Sequence, residues 1–172
     1  MTLQRDYVLE LVATVERLTT VLRRLEDRVV TARPAPGKWS IKEIIGHLVD
    51  SASNNHQRFV RAQWTDDLLC DTYDQDRWVT VQNYQASPWN DLVELWRTYN
   101  LHLARVMATI PAATRLRERT RHNLDRVAFR TVPADQPVTL DYFMADYVDH
   151  LQHHVNQIAA RLSHEKGLGV RG

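Results

Sequence analysis

Apolar residues return every three or four positions in four long stretches of this chain, the spacing of an amphipathic helix. In the first, about residues 3–30, Val8, Leu11, Val15, Leu18, Leu22, Leu25 and Val29 draw one stripe along a single long helix. "TARPAPGKW" ends it, because two prolines and a glycine do not continue a helix. "KWSIKEI" then marks a second start, with Ser40 as N-cap, Glu43 as its capping-box partner, and Trp39 and Ile44 as a hydrophobic staple. Ile41, Ile45, Leu48, Ala52 and Phe59 carry that face to about residue 64. "SPWND" marks the third, with Ser87 as N-cap, Pro88 in the first helical position, and Asp91 and Glu94 near the positive end of the dipole. Leu92, Trp96, Tyr99, Leu103, Val106 and Ile110 form its stripe until Pro111. The fourth runs from about Thr139 to residue 164, with Leu140, Met144, Tyr147, Leu151, Ile158 and Leu162 inward.

Four such helices predict an all-α fold, a four-helix bundle. The short link after the first helix predicts that helices 1 and 2 are antiparallel neighbours. The second link, about residues 65–86, can run the ~35–40 Å length of a bundle at ~3.3 Å per residue, which allows a long crossover and parallel helices 2 and 3. Residues 111–137 lack the pattern, and "RLRERTRHNLDR", with five arginines beside Glu118 and Asp125, reads as a solvated helix or loop, not a phosphate-binding strip. The expected organisation is one domain over residues 1–166 and a flexible tail over 167–172.

Charge narrows the classes. Twenty-two Lys+Arg stand against 21 Asp+Glu, a net +1, which gives nucleic-acid binding no overall electrostatic support. The lone Cys70 forms no internal disulfide and suits a reducing compartment. Charges at Arg5, Asp6 and Glu10 break any signal-peptide core, and no apolar run approaches the ~18 residues of a membrane span. A soluble, cytoplasmic protein is expected.

The candidate chemistry lies in "DHLQHHVNQI", residues 149–158. His150 and His154 stand one above the other at i,i+4, flanking the apolar stripe, while His153 points further outward as a supporting or surface residue. Such a pair arises by chance often enough that, alone, it reads better as two half-buried, hydrogen-bonded helix histidines than as metal ligands. His47, in "IIGHLVD" at the edge of the second helix's apolar face, adds to it. If helices 2 and 4 are antiparallel, His47 meets the later half of helix 4, and three imidazoles converge where bundles build metal sites. Three neutral imidazoles suit Zn²⁺ or Ni²⁺ best, with Fe²⁺ or Mn²⁺ less favoured, and they leave a position open. Asp50 and Asp146 lie at helical spacing from these histidines, as tautomer-fixing acceptors or as ordinary solvated carboxylates.

"PGKWSIKEIIGHLVDS" and, far downstream, "YVDHLQHHVNQI" together resemble the DinB/YfiT-like superfamily of metal-binding four-helix bundles. "YDQDRWV", with Tyr73, Asp74 and Trp78, resembles its YfiT-type branch, and the likeness spans about residues 8–162. It implies an up-down-down-up bundle with a long crossover, a homodimer, His47, His150 and His154 as metal ligands, and His153 as the motif's non-ligand histidine. Asn156 stands where many relatives carry glycine, which predicts an altered pocket floor.

Three functions follow as expectations. The first is a divalent-metal-dependent S-transferase that joins a low-molecular-weight thiol to a small electrophile, as the resemblance to bacillithiol-dependent transferases implies. It fits the absence of G-x-S-x-G, H-E-x-x-H and Gly-rich phosphate motifs, and of a nucleophile near the histidines. The second is metal-assisted hydrolysis, with water in place of the thiol. The third is a non-enzymatic, stress-related metal-binding bundle. Tyr73 and Trp78 are the aromatic pocket candidates.

Overall fold

In the computed structural model, which describes residues 6–168, Asp6 caps helix α1 (Tyr7–Leu22) by accepting the Leu9 amide at 3.0 Å. Its stripe of Leu11, Val15, Leu18 and Leu22 is buried. The single helix expected over 3–30 is instead two. The chain turns after Leu22 and resumes as α2 (Asp27–Thr31). The cause is long-range: the Leu22 carbonyl accepts the Trp89 indole N–H at 2.9 Å and the Leu25 amide at 3.0 Å, bonds that replace helix continuation.

Helix α3 (Ile41–Arg61) opens on the predicted capping box, Ser40 accepting the Glu43 amide at 3.1 Å and Glu43 accepting the Ser40 amide at 2.8 Å. Helix α4 (Gln75–Gln82) and one short turn (Tyr84–Ala86) lead to α5 (Trp89–Thr109). Ser87 does not cap α5. It closes the preceding turn, its amide donating to the Tyr84 carbonyl at 3.1 Å, and Pro88 takes the cap position without a side-chain bond. Two short helices, α6 (Ala112–Leu116) and α7 (Leu124–Val127), precede α8 (Leu140–Leu168), where Thr139 accepts the Tyr142 amide at 3.0 Å. Of the expected tail, residues 167–168 fall in α8 and 169–172 lie outside the described residues.

Side-chain contacts set the directions. Early α3 meets mid-α8 through His47 and His150, and late α3 meets early α8 through Phe59 and Phe143, so these helices are antiparallel. Tyr7 with Asp141 and Thr14 with Gln152 make α1 and α8 parallel. Leu22 with Trp89 and Glu16 with Arg97 make α1 and α5 antiparallel. α1 and α3 each pack on α5 and α8. They therefore run antiparallel across the bundle's diagonal, not as the neighbours their short link predicted. The inserted α2, which packs on α3, lets the chain cross. The core between the helices holds Trp96, Phe59, Phe143, Leu11 and Leu103, all 2 % exposed or less.

Residues 111–137 are largely exposed, as their arginines predict, except at Arg119 and at residues 122–124, which are buried. Arg119 is 1 % exposed, its guanidinium donating to the Ala62 carbonyl at 2.9 Å and its backbone paired with Val138. Asn123 binds both backbone groups of Cys70, at 2.9 and 2.8 Å. These bonds stitch the segment to the connection after α3 and set residues 126–129 beside the histidines. Among the described residues no helix is long and apolar enough to cross a membrane.

Candidate metal centre

The three histidines predicted to converge do so. His47 and His154 are 1 % and 9 % exposed, and His150 is half-buried between them. His150 Nε2 lies 3.3 Å from His47 Nε2 and 3.1 Å from His154 Nε2, and one ligand atom from each residue lies within 4.8 Å of the others. Burial holds all three imidazoles below their ordinary value of 6.5, His47 to about 3, His150 to about 2 and His154 to about 4. Mutual proximity lowers His47 and His150 further.

The hydrogen bonds behind the rings decide which nitrogen faces inward. His154 Nδ1 donates to the Gln157 side-chain oxygen at 3.0 Å, which leaves its Nε2 a bare lone pair. The Gln157 amide donates in turn to His153 Nε2 at 2.8 Å. Ser51 Oγ stands 3.4 Å behind His150 Nδ1. Neutral nitrogens would thus meet lone pair to lone pair, an arrangement that a cation relieves. Two imidazole nitrogens on one ion at 2.0–2.1 Å sit about 2.8–3.4 Å apart at octahedral to tetrahedral angles. The 3.3 and 3.1 Å from His150 to His47 and His154 match that range, so the donor set fits a divalent ion.

The other expected residues are placed differently. Asp50 Oδ1 accepts from Tyr84 Oη at 2.6 Å and Gln82 Nε2 at 2.7 Å, and burial raises its pKa against these bonds. Asp146 accepts the amides of Phe129 at 2.8 Å and Arg130 at 2.7 Å, tying that loop to α8. Neither carboxylate makes a hydrogen bond to a histidine among the described residues; their role is to pin segments around the site. Asn156 is exposed and accepts from Gln152 at 3.0 Å, so it does not form the pocket floor. His153 is exposed, with Phe129 5.3 Å from its ring.

A cavity of about 520 Å³ opens beside the histidines, with His47, His150, Ser51, Asn55, Arg58 and Tyr73 in its lining and Phe129, Phe143 and Tyr147 as apolar walls. Trp78 is absent from that lining and packs instead on Tyr73, with ring centres 5.0 Å apart. Cys70 lines a different, smaller cavity. Sequence reasoning missed Gln157, although its i+3 and i+4 spacing from His154 and His153 signals the contact. It also missed a polar line at helical spacing on α3, namely His47, Ser51, Asn55 and Arg58. Phe129, in irregular chain, carried no such signal.

No curated protein matches the sequence. Among solved structures, YfiT from Bacillus subtilis, described as "a probable metal-dependent hydrolase with an unusual four-helix bundle topology", superposes with a TM-score of 0.75 at 18 % identity. The match covers 94 % of this chain and 86 % of that one. The family model of the DinB superfamily matches residues 10–158. With that match across the bundle and the shared fold, the chain belongs to the DinB superfamily.

Proposed function

We propose that this protein is a divalent-metal-dependent enzyme that transfers a low-molecular-weight thiol onto small electrophiles. The observation that carries the reading is the convergence of three neutral imidazole Nε2 atoms beside a cavity of about 520 Å³ whose lining contains no cysteine. His47, His150 and His154 would hold the ion, Zn²⁺ or Ni²⁺ best and Fe²⁺ or Mn²⁺ less well. Once bound, such an ion supplies Lewis acidity, which makes a thiolate available near neutral pH.

The chain's own residues prepare the site. Gln157 fixes the His154 tautomer, Ser51 backs His150, and Phe129, its ring 5.5 Å from that of His150, forms an apolar wall beside the histidines. The thiol would give up its proton to solvent, its sulfur would bond to the electrophilic carbon, and the leaving group would depart with the electron pair of the bond that breaks. Hydrolysis, with water as nucleophile, is a second reading, favoured by the fold shared with YfiT and the description that protein carries. A cytoplasmic homodimer, implied by the family resemblance, completes the proposal.

The test begins with metal content in protein purified without a histidine tag, beside His150→Ala. Near-stoichiometric metal, lost in the variant, is expected. Metal-loaded protein is then mixed with 1-chloro-2,4-dinitrobenzene, with and without cysteine or glutathione. Thiol-dependent consumption supports transfer, and thiol-independent consumption supports hydrolysis. Failure to take up any metal, even after incubation with Zn²⁺ or Ni²⁺, sinks both.

A further inference from the structure

The cavity beside the histidines holds a cation, Arg58, that no carboxylate among the described residues pairs with. Arg58 comes from the third turn of α3 beyond His47, on the same line as Ser51 and Asn55. Its guanidinium donates to the Asp71 backbone carbonyl at 2.6 Å and to Asn55 Oδ1 at a long 3.5 Å. It also lies 6.0 Å from the centre of the Phe143 ring. No carboxylate lies within ion-pair distance of it among the described residues. Of the five N–H donors of a guanidinium, the protein therefore occupies only part. Burial pulls this group below its ordinary pKa, against weaker support from Cys70, Tyr73 and Asp71. A half-buried charge that is only partly compensated costs free energy that an arriving anion would recover.

The surroundings favour a small acid. The cavity's two carboxylates are engaged elsewhere: Asp146 by the amides of Phe129 and Arg130, and Asp74 by the Arg77 amide as the cap of α4. Burial raises the neighbouring Tyr73 phenol to about 12, so it stays protonated and offers a donor. At the rim stands Arg126, 3.7 Å from Asp125 and largely exposed, a second positive charge along the same cavity.

We propose that Arg58 recognises a carboxylate on the small molecule that enters the cavity, so that the thiol or electrophile used here is acidic. This rests on the reading of the cavity as the reaction chamber and is independent of which ion the histidines hold. A planar guanidinium pairs with a carboxylate through two parallel bonds, which a lysine cannot reproduce in full.

The test compares N-acetylcysteine with N-acetylcysteine amide, which differ in one charge. Binding is followed by amide and Arg Nε–H chemical shifts in full-length protein, both metal-free and zinc-loaded. The acid is expected to bind about tenfold tighter than the amide in both forms. Arg58→Gln is expected to abolish that preference, and Arg58→Lys to keep part of it. Equal affinity of wild type for the two probes overturns the proposal. So does the absence of saturable binding by the acid, or a preference that survives in folded Arg58→Gln. The wild-type comparison stands even if a variant fails to fold. Failure of the metal reading shows separately, as absent zinc uptake with the acid preference intact in metal-free protein.

Discussion

Gly46 precedes His47 in α3, and replacing it by alanine sets two effects against each other. Helix propensity alone favours alanine over glycine by about 1 kcal/mol. The fold opposes it, because a Cβ at this position would stand 2.1, 2.3 and 2.6 Å from Cδ2, Cγ and Cε2 of Tyr84. These are ring atoms of a side chain only 6 % exposed, whose hydroxyl donates to Asp50 at 2.6 Å. The ring cannot retreat without straining or losing that bond. Overpacking of this kind costs about 1–3 kcal/mol, and a hydrogen bond to a carboxylate is worth about 1.5–3 kcal/mol. Subtracting the propensity gain leaves a net loss of about 1.5–5 kcal/mol. Urea unfolding followed by circular dichroism, at a slope of about 2 kcal/mol/M, reads this as a midpoint lowered by roughly 0.75–2.5 M at unchanged slope. Introduced into a Tyr84→Ala background, the same substitution should be neutral or stabilising, since the clash is gone. A Gly46→Ala protein with a raised midpoint would refute the reasoning, because propensity would then have outweighed the contact.

Acid should destabilise the metal-free protein in a defined window. Unfolded histidine takes up a proton near 6.5, whereas burial keeps His47 and His154 neutral to about 3 and 4. The unfolded chain therefore binds more protons between these values. Stability is complete above pH 6.5 and falls on acidification by about 1.4 kcal/mol per pH unit for each histidine. Urea midpoints that stay flat between about pH 7 and about pH 5 would contradict this. Gln157→Ala, which frees the His154 tautomer, should weaken zinc binding about tenfold to a hundredfold in chelator competition without lowering the melting temperature appreciably. Asp146→Ala removes the acceptor of the Phe129 and Arg130 amides, at a cost of about 1–3 kcal/mol. Those two amides should then exchange faster with deuterium while zinc uptake persists; unchanged exchange would show that Asp146 does not hold the loop.

Much of the bundle was legible because helices are local. The stripe of Leu11, Val15, Leu18 and Leu22, the Ser40–Glu43 capping box and the start of α8 at Thr139 all rest on contacts within a few residues, which spacing alone records. The metal candidates were legible for a related reason. His150 and His154 share a helix face by their spacing, and His47 lies on the inward edge of α3. The break after Leu22 was not legible, because an indole 67 residues away takes the carbonyl.

The chain by itself determined four helices, their inward faces and which histidines could look into the bundle, since each depends on a 3.6-residue period read over one segment. Only the tertiary structure decided that α1 and α3 lie diagonally and that α3 and α8 bring three Nε2 atoms together. It also decided that Arg119 is buried, that Asp146 holds the Phe129 loop rather than a histidine, and that Arg58 shares the histidines' cavity. These features join segments far apart in sequence through hydrogen bonds and packing, and such pairings leave no periodic trace in either partner.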